Sequence, residues 1–482
     1  MEVGLIILPF FGAFLAFLFH HRATVISLAT GAGTVVLAGV TVAEVYQLGH
    51  PMVSALGGWP PPLGIRLRID GLSALMLAMT AVVGGAVSLF TPGYFSRVRT
   101  NPAITSMFWP LWLFVWGTLN GLFMAADIFT LYVLLEIIML AGAALVILSP
   151  AEFAVSVALR YLLVTMTGSI LYLMGVAILY DFHAVLDITL LAEVVQPGWG
   201  PAVALTLMTI GLMTKAALFP FHFWLPPAHA LAPAPVSAIL SALLIKGAFY
   251  LLLRLWMELG AGSLPYAAGQ VIGALAMGAI LWGSVQAMRQ DSLKLLIAYS
   301  TVAQVGFFFL AFPMLLSAES AAASEGWAGS AIQVTAHGLA KAALFLAAGV
   351  VLMARGQEQL TAMRGLAWQL PLTAAALALA GLGLFGPWLS GAGLGKGMLA
   401  ESLHNDHQWW WAQLITLGSL LTAAYVLVML RYAFYPPGDI TSRTVPVLLQ
   451  VIPLMLALSS LLLGWLEPAL LGLLDIHSGG HS

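Results

Sequence analysis

The chain has five lysines, and four of them, Lys215, Lys246, Lys341 and Lys396, fall inside long apolar runs. The twelve arginines stay in the connections between such runs or close to their ends. A lysine near the centre of a bilayer costs roughly 2.5–3.5 kcal/mol on insertion scales, so four would cost on the order of 10 kcal/mol. That sum rivals the net stability of a whole domain. Lysine, unlike arginine, can shed its proton when desolvated and so alternate between charged and neutral forms. The segregation of the two residue types therefore points to proton handling. Glu136 lies midway along another run and is the one carboxylate deep in a run. Facing a lysine on a neighbouring helix, it would form an ion pair whose making and breaking moves protons. Asp127 falls about half a turn round the same helix and near its end, an interfacial position. A lysine close to a helix end can instead snorkel to the headgroups. Lys215 and Lys246 are poorly placed for that, and Lys294, beside Asp291, reads as a surface residue.

The most specific segment is Gly211-Leu-Met-Thr-Lys215-Ala-Ala-Leu-Phe-Pro220-Phe-His222-Phe-Trp-Leu-Pro226-Pro227-Ala-His229. Pro220 removes a backbone donor and is expected to free carbonyls in the same turn as Lys215. Non-helical backbone at membrane depth is tolerated where it lines a cavity or is buried in protein. A lysine beside a broken helix is how transporters build ion sites near the midplane. The segment Gly386-Pro387-Trp-Leu-Ser390-Gly391-Ala-Gly393-Leu-Gly395-Lys396 repeats the design in different letters. Its glycines also suit a close-packing helix surface. His337 and Lys341 are four apart and share one helical face, joining the side chain that titrates nearest neutrality to a lysine. His222 and His229 flank the Pro226-Pro227 corner, where they would either anchor the loop or relay protons.

These residues must be held by membrane-spanning elements. Of the 482 residues, 61% are apolar and 7% charged, and the mean hydropathy is +1.00. A soluble domain carries roughly 25% charged residues, so a water-soluble enzyme is excluded. About 20 apolar residues cross the hydrocarbon core as a helix. Fourteen runs approach or exceed that length, near 4–19, 25–46, 71–92, 107–126, 128–148, 156–180, 201–220, 234–256, 267–288, 293–311, 329–353, 369–400, 411–434 and 446–473. They lack the alternation of a lipid-facing barrel, so the chain reads as an all-α polytopic membrane protein. The first run lacks a basic leader and is expected to stay in place rather than be cleaved. Connections look short, which makes residues 1–482 a single membrane domain. Connections after odd-numbered runs carry ten basic residues, Arg22, Arg97, Arg99, Arg160, Arg289, Lys294, Arg355, Arg364, Arg431 and Arg443. Those after even-numbered runs carry Arg66, Arg68 and Arg254. The positive-inside bias then puts both termini on the outer side of the cell membrane.

A net charge of −2 gives no reason to expect nucleic acid. The absence of cysteine removes thiolate nucleophiles, iron–sulfur ligation and covalent haem attachment. Haem bound through facing histidines is opposed by their settings, each beside a lysine or a proline corner. No nucleophile–base pair and no metal-binding acid cluster is visible, so no catalytic residue, metal or cofactor is expected. A purely structural or quinone-lining subunit would leave the four lysines unexplained.

Taken together, the segments resemble the antiporter-like membrane subunits shared by Mrp-type multisubunit cation/proton antiporters, respiratory complex I and membrane-bound hydrogenases. The resemblance rests on Asp70-Gly-Leu-Ser, Leu-Tyr-Val-Leu-Leu-Glu136, Thr214-Lys215-Ala-Ala-Leu-Phe-Pro-Phe-His222-Phe-Trp-Leu-Pro and Ala234-Pro-Val-Ser-Ala-Ile-Leu-Ser-Ala-Leu-Leu-Ile-Lys246. It continues through Gln290-Asp-Ser-Leu-Lys294-Leu-Leu-Ile-Ala-Tyr299-Ser and His337-Gly-Leu-Ala-Lys341-Ala-Ala-Leu-Phe-Leu, in family order. It implies about fourteen transmembrane helices with two inverted five-helix repeats, spans 4–8 (107–256) and 9–13 (267–434), and broken helices 7 and 12. It also implies proton translocation along Glu136, Lys215, Lys246, His337, Lys341 and Lys396, with His222 and His229 at the uptake side and Glu401 at the exit. The implied partners are protons, the lipid bilayer and other members of a hetero-oligomeric complex, with exchange of sodium left open. Pro227, Leu231 and the Gly-Pro-Trp-Leu-Ser-Gly-Ala-Gly run before Lys396 depart from the complex I pattern. They favour an Mrp-type D-like or hydrogenase-type branch, with a complex I-like proton-pumping subunit as the alternative. The long lateral helix of the largest family members is expected to be absent.

Overall fold

The computed structural model describes residues 2–98, 102–317, 320–436 and 442–477; Arg99 of the orientation count lies outside them. Helix dominates because every backbone group at membrane depth must be satisfied within its own segment. Among the described residues, eleven helices are long and apolar enough to cross a membrane. The runs at 4–19, 201–220 and 369–400 are built from shorter helices, Glu2–Leu18, Trp199–Lys215 and Pro371–Phe385. Acids and a serine start several helices by accepting a backbone N–H. Asp70 caps Gly71–Phe95, Asp127 caps Ile128–Ile147, Asp187 caps Ile188–Val194 and Ser390 caps Gly391–Asn405. Asp127 therefore sits at a helix end, as its spacing suggests.

The connection at 49–70 is longer than its neighbours and departs from the all-helical expectation. Met52–Ala55 pairs antiparallel with Arg66–Ile69, burying Leu67 and Ile69. This hairpin gathers one end of the bundle, where Leu67 bridges Ala125, Asp127 bridges Asp187 and the Gly71 N–H donates to Ile476 O. At the opposite end Ser292 bridges Gln359, the Gly365 N–H donates to Tyr435 O and the Arg443 N–H donates to Ala354 O. The connections around 67, 125 and 187 thus meet one another, as do those around 292, 359, 365 and 435 to 443. The three basic residues of even-numbered connections are all paired with acids, Arg66 with Asp187, and Arg68 and Arg254 with Asp70.

The helices Ala234–Leu259, Leu293–Leu315 and Ala323–Arg355 are the most enclosed of the bundle and form its centre. They carry Lys246, Lys294, His337 and Lys341. Ile128–Ile147 and Ala154–His183 lie further out and expose apolar side chains such as Val133, Leu140, Leu163 and Ile170. Two close crossings hold the interrupted helices in place. A Cβ on Gly211 would come within 2.3 Å of Gly168 O, and one on Gly395 within 2.5 Å of Gly329 O. Each crossing lies within about one turn of an intramembrane lysine, Lys215 or Lys396.

Candidate functional site

The first interruption follows Lys215. Helix Trp199–Lys215 ends there, Ala217 turns to a positive φ of 56°, and the chain resumes at Phe221–Trp224 and Leu225–Leu231. Pro220 thus lies beyond the helix rather than inside it. The carbonyls expected to be freed are also occupied. Met213 O accepts from the Leu218 N–H, and Thr214 O accepts from the Ala217 N–H and from the Trp224 indole at 3.1 Å. Lys215 stands at the negative end of its helix, which favours a cation. Its ammonium donates to Glu136 at 3.0 Å, the lysine buried and the carboxylate about one-fifth exposed. Removing one partner of such a pair strands the other charge, at a cost of about 3–5 kcal/mol.

The second interruption lies between Pro371–Phe385 and Gly391–Asn405, with Gly386 at a φ of 81°. Lys396 comes from the second piece and reaches back across the gap. Its ammonium donates to Leu384 O at 2.9 Å and Phe385 O at 3.2 Å, and lies 4.1 Å from the Phe307 ring centroid. The two broken helices therefore present the same device, a lysine ammonium at the carboxyl end of a half-helix.

Lys246 and Lys341 are fully enclosed. A π-helical turn, Leu240–Leu244, precedes Lys246, and the Lys246 ammonium donates to Ser241 O within it. Such wide turns inside α-helices recur at functional sites. The Lys341 ammonium donates to Ile297 O at 3.0 Å and to the Ser300 hydroxyl, so it faces the next helix rather than His337. His337 lies edge-on to Phe308 at 5.0 Å, and the same ring has the Lys246 ammonium 5.8 Å from its centroid. Phe308 thus lies beside both Lys246 and His337.

Among the described residues, neither ring nitrogen of His229 or of His337 has a hydrogen-bond partner, and His222 Nδ1 has none. His229 stacks on Phe345 at 4.8 Å and His222 on Phe219 at 5.5 Å. Both rings thus rest on aromatic neighbours. Glu401 is exposed and lies about 140° around its helix from Lys396, so the two do not share a face. No group of three or more His, Asp or Glu among the described residues is arranged to hold a metal.

The family described as NADH:quinone oxidoreductase/Mrp antiporter, transmembrane, matches residues 125–422. The chain belongs to this family. It is 33% identical over 458 residues to the N subunit of the NADH-quinone oxidoreductase of Desulforudis audaxviator, covering 92% of this chain and 89% of that protein. It is 28% identical over 469 residues to the D subunit of the Na(+)/H(+) antiporter of Alkalihalophilus pseudofirmus, covering 93% and 91%. A chain of the membrane-bound sulfane sulfur reductase, an archaeal respiratory membrane complex, superposes with a TM-score of 0.89 at 26% identity, covering 98% of this chain and 97% of that one. An antiporter-like subunit of the Mrp and complex I family, multi-pass in the membrane, is therefore what this chain is.

Within that family frame, the structure corrects a further reading of the sequence and adds two groups. Lys294 is buried, not a surface residue. Its ammonium pairs with Glu358 at 3.1 Å and donates to Ala232 O at 2.6 Å, at the carboxyl end of Leu225–Leu231. Glu358 reaches it because the 355–360 loop folds over the helix start, with the Leu293 N–H donating to Glu358 O. The first added group is a buried charge cluster at the hairpin end. Arg254 grips both Asp70 oxygens and also donates to Ser73 and Tyr250, while Arg68 joins Asp70 to Glu258. Burial alone would raise Asp70, yet the Arg254 and Arg68 guanidiniums and the Ser73 N–H hold its carboxyl well below the usual range. The second group is uncharged and joins Gln304, Gln333, Thr422 and Tyr425.

Proposed function

We propose that this chain is the proton-translocating member of a multisubunit membrane complex, of the Mrp-type D-like kind. Protons move along a buried axis of Glu136, Lys215, Lys246, His337, Lys341 and Lys396. Uptake begins near His229 and His222, passes Lys246 to the Lys215–Glu136 pair, crosses by His337 and Lys341 to Lys396, and leaves near Glu401. The observation that carries the reading is the 3.0 Å contact of Lys215 with Glu136 at the end of an interrupted helix. Charging Lys246 would compete with that pair, and opening the pair would release the Lys215 proton. The histidine nitrogens without protein partners support the reading, because buried polar groups of this kind are commonly satisfied by water. The two half-helix lysines support an arrangement of fourteen spans in two repeats, 107–256 and 267–434, the second inverted. The arginine bias supports both termini on the outer side of the cell membrane.

A second reading makes the chain a proton-pumping member of a complex I-like quinone oxidoreductase. Its similarity to a relative named as the N subunit of an NADH-quinone oxidoreductase favours this. In this second case the redox chemistry that powers transport belongs to other chains, whereas in the first an ion gradient does the work. Everted vesicles containing the assembled complex, with a pH-sensitive dye, test both. In Lys341→Ala and Lys396→Ala, translocation should fall at least about tenfold with assembly intact. A response to NaCl addition marks the exchanger, and a response to a respiratory electron donor marks the redox pump. Near-parental translocation in both variants overturns the axis.

A further inference from the structure

The stretch between Lys341 and Lys396 contains no titratable side chain assigned to the axis, yet it is polar. On helix Leu293–Phe309, Ser300 and Gln304 are one turn apart, and Ser300 is the hydroxyl that Lys341 grips. On the facing helix Ser320–Arg355, Gln333, His337 and Lys341 follow at intervals of four and so lie along one face. Gln333 donates to Gln304 Oε1 at 3.2 Å, and Gln304 donates to Thr422 at 3.1 Å and to Tyr425 at 2.9 Å. Gln304, Gln333 and Thr422 are fully enclosed, and Tyr425 is nearly so.

The amide orientations follow from the donor inventory. The Thr422 hydroxyl spends its one proton on Gly418 O, so toward Gln304 it accepts only. The group of Gln304 that faces it must therefore be the NH2, which leaves its carbonyl oxygen to accept from the Gln333 NH2. The free end of Gln333 is then its carbonyl oxygen. Among the described residues, that buried Oε1 has no hydrogen-bond partner. Gln333 also packs on the turn that holds Lys396, since a Cβ on Gly395 would meet the Gln333 N at 2.8 Å and its Cβ at 3.0 Å.

We infer that Gln333, held by Gln304, Thr422 and Tyr425, is a positioning residue that orients the proton carrier between the Lys341/His337 pair and Lys396. The inference rests on the axis proposed above. The step balances as a simple proton transfer. The Lys341 ammonium gives a proton to one end of a chain of waters whose other end protonates neutral Lys396, leaving Lys341 neutral, the waters restored and Lys396 charged. The Gln333 carbonyl accepts a hydrogen bond from one water of that chain and fixes its direction, and an amide neither gains nor loses a proton in the process. A carboxylate at the same position could do the same and would also titrate. The ionisable groups around it are His337 and Lys341 on its own helix, Lys396 on Gly391–Asn405 and Tyr425 on Trp409–Ala433.

The test uses everted vesicles carrying the full complex, with dye-monitored proton translocation and co-purification of the other chains as the assembly control. Gln333→Leu should lower translocation at least about tenfold. Gln333→Glu should restore a third or more of it and displace its pH profile by about one unit, because the new group titrates beside three titratable bases. Translocation within about twofold of parental in Gln333→Leu overturns the inference. So does a Gln333→Glu variant that assembles with an unshifted profile, which is the result expected of a packing role. Because the two variants are read separately, failure of Gln333→Leu to assemble leaves Gln333→Glu to decide. Lys215→Ala is run alongside. If it transports normally, the axis itself falls; if it is inactive while Gln333→Leu is normal, only the role of Gln333 falls.

Discussion

The Lys215 ammonium and the Glu136 carboxylate meet at 3.0 Å, although they come from different helices. The carboxylate retains about one-fifth of its surface while the lysine is almost wholly enclosed. That asymmetry matters for transport. A pair sealed on both sides would be locked by its own Coulomb attraction, whereas a carboxylate open on one side can be solvated when the lysine discharges.

Phe308 packs beside both proton-axis groups, its ring 5.0 Å from the His337 imidazole and its centroid 5.8 Å from the Lys246 ammonium. Phe308→Ala removes the ring and leaves a cavity bordered by polar groups, which is where water enters. We expect an uncoupled proton leak raised about tenfold in proteoliposomes of the complex under an imposed potassium diffusion potential. The stability cost should be about 3–5 kcal/mol. An unchanged leak would show that the ring has no sealing role.

Asp70 is the hub of the hairpin-end cluster, binding Arg68 and Arg254. Asp70→Asn leaves both guanidiniums with Glu258 as their remaining acid and should destabilise the protein by about 3–5 kcal/mol. Because the folded carboxyl is held below its ordinary value, its stabilisation is present above the unfolded pKa. That contribution is lost only as pH falls through the lower folded one. The thermal-stability gap between parental and variant complexes should therefore be constant from neutral to mildly acid pH. A gap that closes on mild acidification contradicts this.

The chain contains no cysteine, so single cysteines report sidedness directly. Leu63→Cys lies in the exposed hairpin connection and Gln357→Cys in the exposed loop at the opposite end. On intact cells a membrane-impermeant maleimide should label the first and spare the second. The reverse pattern would invert the proposed orientation.

The helical runs are legible in the sequence because membrane depth demands long apolar stretches, and their ends agree with the observed helices to within a few residues for most spans. Interruptions beside Lys215 and Lys396 are also legible, through Pro220 and through Gly386-Pro387. Their local wiring is not. The carbonyls below Lys215 are capped by Trp224 and the following turn, and no spacing rule reports that. Lys294 misleads because Asp291 is adjacent in sequence, whereas its partner Glu358 arrives from a distant loop. The Met52–Ala55 hairpin is hidden in a connection whose composition reads as plain linker. Gln304 and Gln333 give no signal either, since a neutral amide in an apolar run carries no charge to explain.

The most direct test of the central claim is proton translocation by the assembled complex carrying Lys215→Ala, measured beside Glu136→Gln. Both variants should assemble, Lys215→Ala should lose at least about tenfold in rate, and Glu136→Gln should be slowed. Parental rates in Lys215→Ala with the complex intact would contradict the claim.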